Sequence, residues 1–197
     1  MSTVVAVVGS YRRGGATDRA VEAVLEGARV LGARTQTFRL TQQNIAFCKN
    51  CRACTQLPGA ERGKCVQEDD LEPMLKEIDA ADAIVLASPV NMYNVTAIFR
   101  RFQERLVGAA YWPWGQNFPK ARKPRASKKA ILIASSAAPG FLIPIATGAA
   151  RALSVTARML GAKPAGKLWI GLVSGEQRPA LSARTIERAR RMGMKLA

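Results

Sequence analysis

A chain of 197 residues with 48% hydrophobic content has the size of one globular domain with a sizeable core, and its lack of histidine excludes a His-centred triad, a Cys/His zinc finger and a His-ligated haem. Chemistry therefore falls to a cofactor, to thiols or to charged groups. The formal charge of +16 is lopsided, with 14 Lys/Arg against 12 Asp/Glu in residues 1–110 and 16 against Glu176 and Glu187 in residues 111–197, a field that attracts anionic partners or is only a basic solvated surface.

In chain order, apolar and β-branched runs predict strands at about 3–9, 34–40, 83–88, 129–135 and 166–173. Helical periodicity falls between and after them. Thr17–Leu31 gathers Ala20, Val21, Val24, Leu25, Ala28 and Leu31 on one face, and Asp70–Asp79 gathers Leu71, Met74, Leu75 and Ile78, with Asp69 as its expected cap. Further helices are expected at about 95–108 (Ile98, Phe99, Phe102, Leu106), 143–160 (Ile145, Ala149, Leu153, Leu160), stopped by Gly161, and 180–195 (Leu181, Ile186, Ala189, Met192). The N-terminal apolar run is short and lacks a basic leader, and Pro144 and Gly148 interrupt the apolar stretch 141–150. Neither a signal peptide nor a membrane span is expected, and a cytoplasmic location is the default.

Strict alternation of strands and helices implies an α/β domain over residues 1–197, with a doubly wound five-stranded parallel sheet in the order 2-1-3-4-5 and helices on both faces. In that topology ligands lie beyond the carboxyl ends of the strands, here segments 9–17, 88–95 and 135–142, each rich in Gly, Ser, Pro or Asn. The first of these runs from a buried strand through small residues into a helix. A helix start leaves backbone N–H groups unpaired at the positive end of the dipole, and Ser10, Arg12, Arg13 and Thr17 add donors and charge. The loop has neither the Lys-Ser/Thr of a P-loop nor the G-x-G-x-x-G of a dinucleotide fold. Taken alone, it is equally an ordinary turn with Thr17 as helix N-cap.

Two segments break the alternation. The insertion 41–68 holds every cysteine, as Cys48-x2-Cys51-x2-Cys54-x10-Cys65. Three closely spaced thiols with a distant fourth suit a [4Fe-4S] cluster better than the two separated pairs typical of zinc, while reduced structural thiols or a redox disulfide pair remain open. Lys49, Arg52, Arg62 and Lys64 would lower thiolate pKa values or offset a cluster's charge. The second segment, 111–128, carries Trp112, Trp114 and Phe118 and then Lys120, Arg122, Lys123, Arg125 and Lys128. Its aromatics are suited to stack on a flat ring, to meet a second chain or to anchor the loop to its own core.

Gly9-Ser10-Tyr11-Arg12-Arg13-Gly14-Gly15-Ala16-Thr17 and Ser88-Pro89-Val90-Asn91-Met92-Tyr93-Asn94-Val95-Thr96, continuing to Arg100, Phe102, Glu104 and Arg105, carry a resemblance. Over about residues 3–106 the chain resembles the NADPH-dependent FMN reductase group of the flavodoxin-like superfamily, and most of all its iron-sulfur flavoprotein branch. The resemblance implies that Ser10, Arg12 and Thr17, with the backbone of Gly15 and Ala16, hold the flavin phosphate. It also implies that Pro89, Val90, Asn91, Met92 and Tyr93 run along the isoalloxazine, and that Ser135, Ser136 and Gly140 border the ring. Asn91 stands where the group usually has an aromatic, Arg100 replaces Lys and Glu104 replaces Asp. The resemblance further implies a [4Fe-4S] cluster on Cys48, Cys51, Cys54 and Cys65, with a shorter last spacing than the ten residues found here.

The function it implies is an FMN-dependent oxidoreductase reduced by NAD(P)H or a protein donor, passing electrons to a protein or small-molecule acceptor. A homodimer or higher homo-oligomer is expected. The flavin supplies the chemistry, so no catalytic acid, base or nucleophile is expected from side chains. Two alternatives stand beside it. One is a basic nucleic-acid-binding or regulatory module using residues 120–129 and Arg184, Arg188, Arg190 and Arg191, whose charges lack interleaved aromatics. The other is a zinc-stabilised scaffold without catalysis.

Overall fold

The computed structural model describes residues 1–122, 127–176 and 178–197; of the basic run, Lys123 and Arg125 lie outside the described residues. The elements are β1 (Thr3–Val8), α1 (Ala16–Val30), β2 (Arg34–Arg39), α2 (Leu71–Ala80), β3 (Ala83–Asn91), β4 (Asn94–Val95), α3 (Ala97–Glu104), β5 (Ala110–Tyr111), β6 (Lys120–Ala121), β7 (Lys128–Ser135), α4 (Ile143–Ala146), α5 (Ala149–Met159), β8 (Ala162–Ile170) and α6 (Ala183–Met194). Five parallel strands pair in the order β2-β1-β3-β7-β8, which is the expected winding. Two features exceed the expected five strands: β4 folds back antiparallel on the end of β3, and β5 and β6 form a separate ribbon.

The central strands are buried on both faces, so alternate residues serve two cores. Val5, Val7, Ile84, Leu86 and Leu132 pack with Leu75, Phe99, Phe102 and Leu153 of α2, α3 and α5. Val4, Ala6, Val85, Ile131 and Ile133 pack with Val24, Ala28 and Ala189 of α1 and α6. The α1–α6 crossing is unusually close. A Cβ on Gly27 would sit 2.7 Å from the Arg190 carbonyl carbon, and one on Gly193 would sit 2.8 Å from that of Val24.

Several expected boundaries moved for identifiable reasons. The helix expected at 143–160 is two helices bent by 75°. At the break, Gly148 N–H donates to Tyr93 O at 2.8 Å, and Asn94 occupies the space a Cβ would need, so the β3–β4 hairpin is wedged into the bend. Thr17 is not an N-cap: α1 starts one residue earlier, capped by Gly15 with no side-chain bond. Asp69 is not the cap of α2 either. Asp70 holds that position, while the Asp69 carboxylate accepts from the N–H groups of Leu71 and Ala46 and pairs with Arg105. The last strand starts at Ala162, four residues before the expected 166, because its outer position in the sheet tolerates Pro164. Among the described residues no single helix is long and apolar enough to cross a membrane.

Candidate functional site

The carboxyl ends of β1, β3 and β7 open into one cavity of about 370 Å³, lined among others by Ser10, Arg12, Thr17, Pro89, Asn91 and Ser135. Gly15, Ala16, Val90 and Ser136 complete the set of expected residues on its wall. The loop from Gly9 to Gly15 is held in place by specific bonds. Thr96 Oγ1 donates to Gly9 O at 2.6 Å, and Gly9 can hold no Cβ because Phe99 Cβ lies 2.7 Å from where it would be. Ser10 Oγ accepts from Arg12 N–H and donates to Arg12 O, closing the turn, and Tyr11 Oη accepts from Ile98 N–H at the start of α3. Gly14 takes φ +70°, a conformation that suits glycine.

This leaves the start of α1 without a side-chain cap and with its first amides beside the cavity, the arrangement that favours an anion. Arg12 is the exposed cation on the wall. Asp18 is turned to structural use, accepting from Gly14 N–H at 2.8 Å and pairing with Arg39 at 2.7 Å. Thr17 Oγ1 and Ser135 Oγ are hydrogen-bonded at 2.8 Å in a buried contact, tying the first loop to the end of β7.

Three expected residues lie outside that wall. Met92 and Tyr93 occupy the tip of the two-residue hairpin between Asn91 and Asn94, both with positive φ (44° and 62°), as a type I′ turn requires. The two residues are 91% and 74% exposed. Gly140 serves close packing: a Cβ there would meet Trp169 O at 2.6 Å. Tyr11 and Ala137, inside the expected loops 9–17 and 135–142, also line it, whereas Val173, Ser174 and Pro179 come from outside those loops. The last three follow β8 and enter because Val173 N–H donates to Ser136 O, a contact no local motif announces.

The four cysteines are free and line a separate narrow cavity of about 20 Å³ with Arg52 and Arg105. Among the described residues no three His, Cys, Asp or Glu side chains are placed to hold a single metal ion. Donors face the sulfurs: Asn50 N–H to Cys48 Sγ at 3.4 Å, Gln67 N–H and Arg105 Nη2 to Cys65 Sγ, each at 3.5 Å. Burial, together with the charges of Cys65, Cys48 and Cys51, pushes the Cys54 thiol above its ordinary range. The lining thus has soft sulfur donors, cationic neighbours and no carboxylate, a set that suits an iron-sulfur cluster.

Arg105 anchors this loop. Its buried guanidinium donates to Ala46 O at 2.8 Å and to Asp69 at 2.6 Å. Burial alone would raise the Asp69 pKa, but the bonds from Arg105, Ala46 and Leu71 outweigh it and hold the carboxyl below its usual range. A depressed carboxyl contributes stability that is complete above its unfolded pKa, about 4, and lost as pH falls through the folded value. Acid titration followed by tryptophan fluorescence in a Trp169→Phe background, where Trp112 and Trp114 alone report, is therefore expected to be flat above about pH 5 and to change below about pH 4, with Asp69→Asn removing the transition. A wild-type transition that survives in Asp69→Asn would contradict this anchor.

The parallel sheet, its winding and the loops at its carboxyl edge define a flavodoxin-like protein. The chain belongs to the NADPH-dependent FMN reductase family, whose model matches residues 2–141. It is 29% identical over 109 residues to an iron-sulfur flavoprotein of Archaeoglobus fulgidus, a match covering 55% of this chain and 47% of that one. It is 32% identical over 104 residues to an iron-sulfur flavoprotein of Methanosarcina thermophila, covering 53% and 52%. The chain thus spans about half the length of the curated relatives it matches. In fold it is similar to an NAD(P)H:quinone oxidoreductase from Methanothermobacter marburgensis, with a TM-score of 0.73, 20% identity and coverage of 100% and 99%.

Proposed function

We propose that this chain is one FMN-binding oxidoreductase domain, reduced by NAD(P)H or a protein donor and passing electrons to a small-molecule or protein acceptor. The observation that carries this is the joining, in one cavity, of an uncapped helix start and Arg12 to a Pro89–Val90–Asn91 wall at the next strand. A dianionic phosphate linked to a flat ring needs both halves. When bound, FMN supplies hydride and one-electron chemistry, and a [4Fe-4S] cluster on Cys48, Cys51, Cys54 and Cys65 supplies one-electron chemistry. The names of the curated relatives and the all-sulfur donor set support that cluster.

The protein's part is binding and orientation. The amides of Gly15, Ala16 and Thr17 and the Arg12 guanidinium hold the phosphate; Ser10 shapes the turn that aims them. Pro89 to Asn91 and Ser135 to Ala137 flank the ring site, and the Thr17–Ser135 bond fixes the distance between the two halves. Titration of the flavin-free chain with FMN, read by quenching of flavin fluorescence, tests the proposal. Saturable one-to-one quenching supports it, and no quenching at micromolar protein overturns it.

The mouth of the cavity supports a homo-oligomer. Tyr11 on the wall, Met92 and Leu172, each next in sequence to a lining residue, and Tyr93 beside Met92 at the hairpin tip are large and exposed. Replacing Met92 and Tyr93 together with Asp is expected to shift the chain from dimer to monomer in sedimentation equilibrium. A wild-type chain that sediments as a monomer at tens of micromolar would remove the oligomer from the proposal.

A further inference from the structure

The loop 111–118, which the flavin cavity leaves unused, is packed against the cysteine segment. The Arg52 guanidinium lies between two indoles, 4.0 Å from the Trp112 ring centre and 4.2 Å from that of Trp114. Its Nη2 donates to Trp112 O at 2.5 Å and to Pro113 O at 3.2 Å. The backbones are laced as well: Trp112 N–H donates to Thr55 O at 2.9 Å, Thr55 Oγ1 to Trp112 O at 2.9 Å, and Trp114 N–H to Gln56 Oε1 at 3.1 Å. Arg52 sits one residue after Cys51 and two before Cys54. Like Asn50, it adopts left-handed φ, at 57° and 51°, a conformation uncommon for arginine. A guanidinium stacked between two aromatic planes is a recognised strong contact, and Lys cannot reproduce the planar stack.

We propose that the aromatic loop is the clamp of the cysteine segment, with Arg52 the positioning residue that fixes where Cys51 and Cys54 stand around their cavity. This rests on the reading that the four cysteines hold a cluster, but the clamp itself is a property of the empty thiols. The stretch after Cys54 is held separately, by Gly63, Gly108 and Arg122. A Cβ on Gly63 would overlap Cys54 O, Gly63 N–H donates to Gly108 O at 2.9 Å, and Arg122 donates to the carbonyls of Leu57 and Gly108. Arg52 holds the stretch between Cys51, which is exposed, and Cys54, which is half-buried and whose carbonyl Arg122 also reaches.

The test uses the full chain, reduced and metal-free, with Arg52→Lys, Trp114→Ala and Trp114→Phe. Maleimide alkylation of each cysteine is timed by mass spectrometry, and iron and sulfide are counted after anaerobic reconstitution with ferrous iron and sulfide. FMN affinity serves as the check on the fold. Arg52→Lys and Trp114→Ala are expected to speed Cys54 alkylation about tenfold and to lower retained iron, with Trp114→Phe restoring both to within about twofold. FMN affinity should stay within about twofold of wild type in all three. Wild-type alkylation rates in Arg52→Lys overturn the clamp, including where Trp114→Ala does not fold. Faster alkylation in the variants, with a wild-type chain that takes up no iron, upholds the clamp and removes the cluster.

Discussion

Arg12→Ala is expected to weaken FMN binding by about 10–100-fold, the loss that follows from removing one charge-assisted contact to a phosphate. The turn that presents Arg12 survives the change, because Ser10 Oγ accepts from the backbone N–H of residue 12 and not from its side chain. Arg12 is exposed, so its share is screened by salt: raising ionic strength should weaken wild-type binding and weaken the variant less. Isothermal titration calorimetry at two salt concentrations separates this from a collapse of the site. An affinity unchanged at low salt would show that the amides of α1 alone hold the phosphate.

The second large effect concerns the packing of α6 on α1. Gly193→Ala gains about 1 kcal/mol of helix propensity in an isolated helix, yet the added methyl would overlap Val24 O and lie 3.0 Å from Ala28 N. Backbone cannot step aside as a side chain can, so overpacking of about 3–4 kcal/mol wins and the net loss is about 2–3 kcal/mol. For a chain of this size that corresponds to a fall in melting temperature of roughly 5–10 °C. Gly175, whose Cβ would meet nothing within 4 Å, is the control, and Gly175→Ala should change stability by less than about 0.5 kcal/mol. A Gly193→Ala chain as stable as wild type would mean that α6 shifts freely on the sheet.

The winding was legible because each β-branched run between helical patterns needs cover on both faces, and β2-β1-β3-β7-β8 is the order the alternation implied. The loop from Gly9 to Thr17 was legible for the same local reason: a strand ending in small residues before an amphipathic helix. What could not be seen was set by contacts distant in sequence. Nothing around Met92 and Tyr93 spells a two-residue turn, since their positive φ values lack the usual Asn-Gly; the hairpin is held instead by Gly148, 55 residues past Tyr93. Asp69 carried the sequence signal of a helix cap but is drawn away by Arg105.

The basic run at 120–128 likewise suggested a free cationic strip. Arg122 instead donates to the carbonyls of Cys54, Leu57, Gly59 and Gly108, and Lys128 to those of Ile78 and Asp79. Those charges are structural, which weakens the case for a nucleic-acid surface there. Similarly, Trp112 and Trp114 face Arg52, so the aromatic loop anchors to its own chain through the cysteine segment.

In this proposal one edge of the sheet holds FMN and a neighbouring loop holds a cluster. An anaerobic ultraviolet-visible spectrum of the chain reconstituted with FMN, ferrous iron and sulfide tests it most directly. The expected result is a pair of flavin bands on a broad iron-sulfur shoulder, the shoulder bleaching on reduction and absent from Cys54→Ser. A spectrum with neither flavin bands nor shoulder after desalting would contradict the account; flavin bands alone would keep the FMN site and discard the cluster.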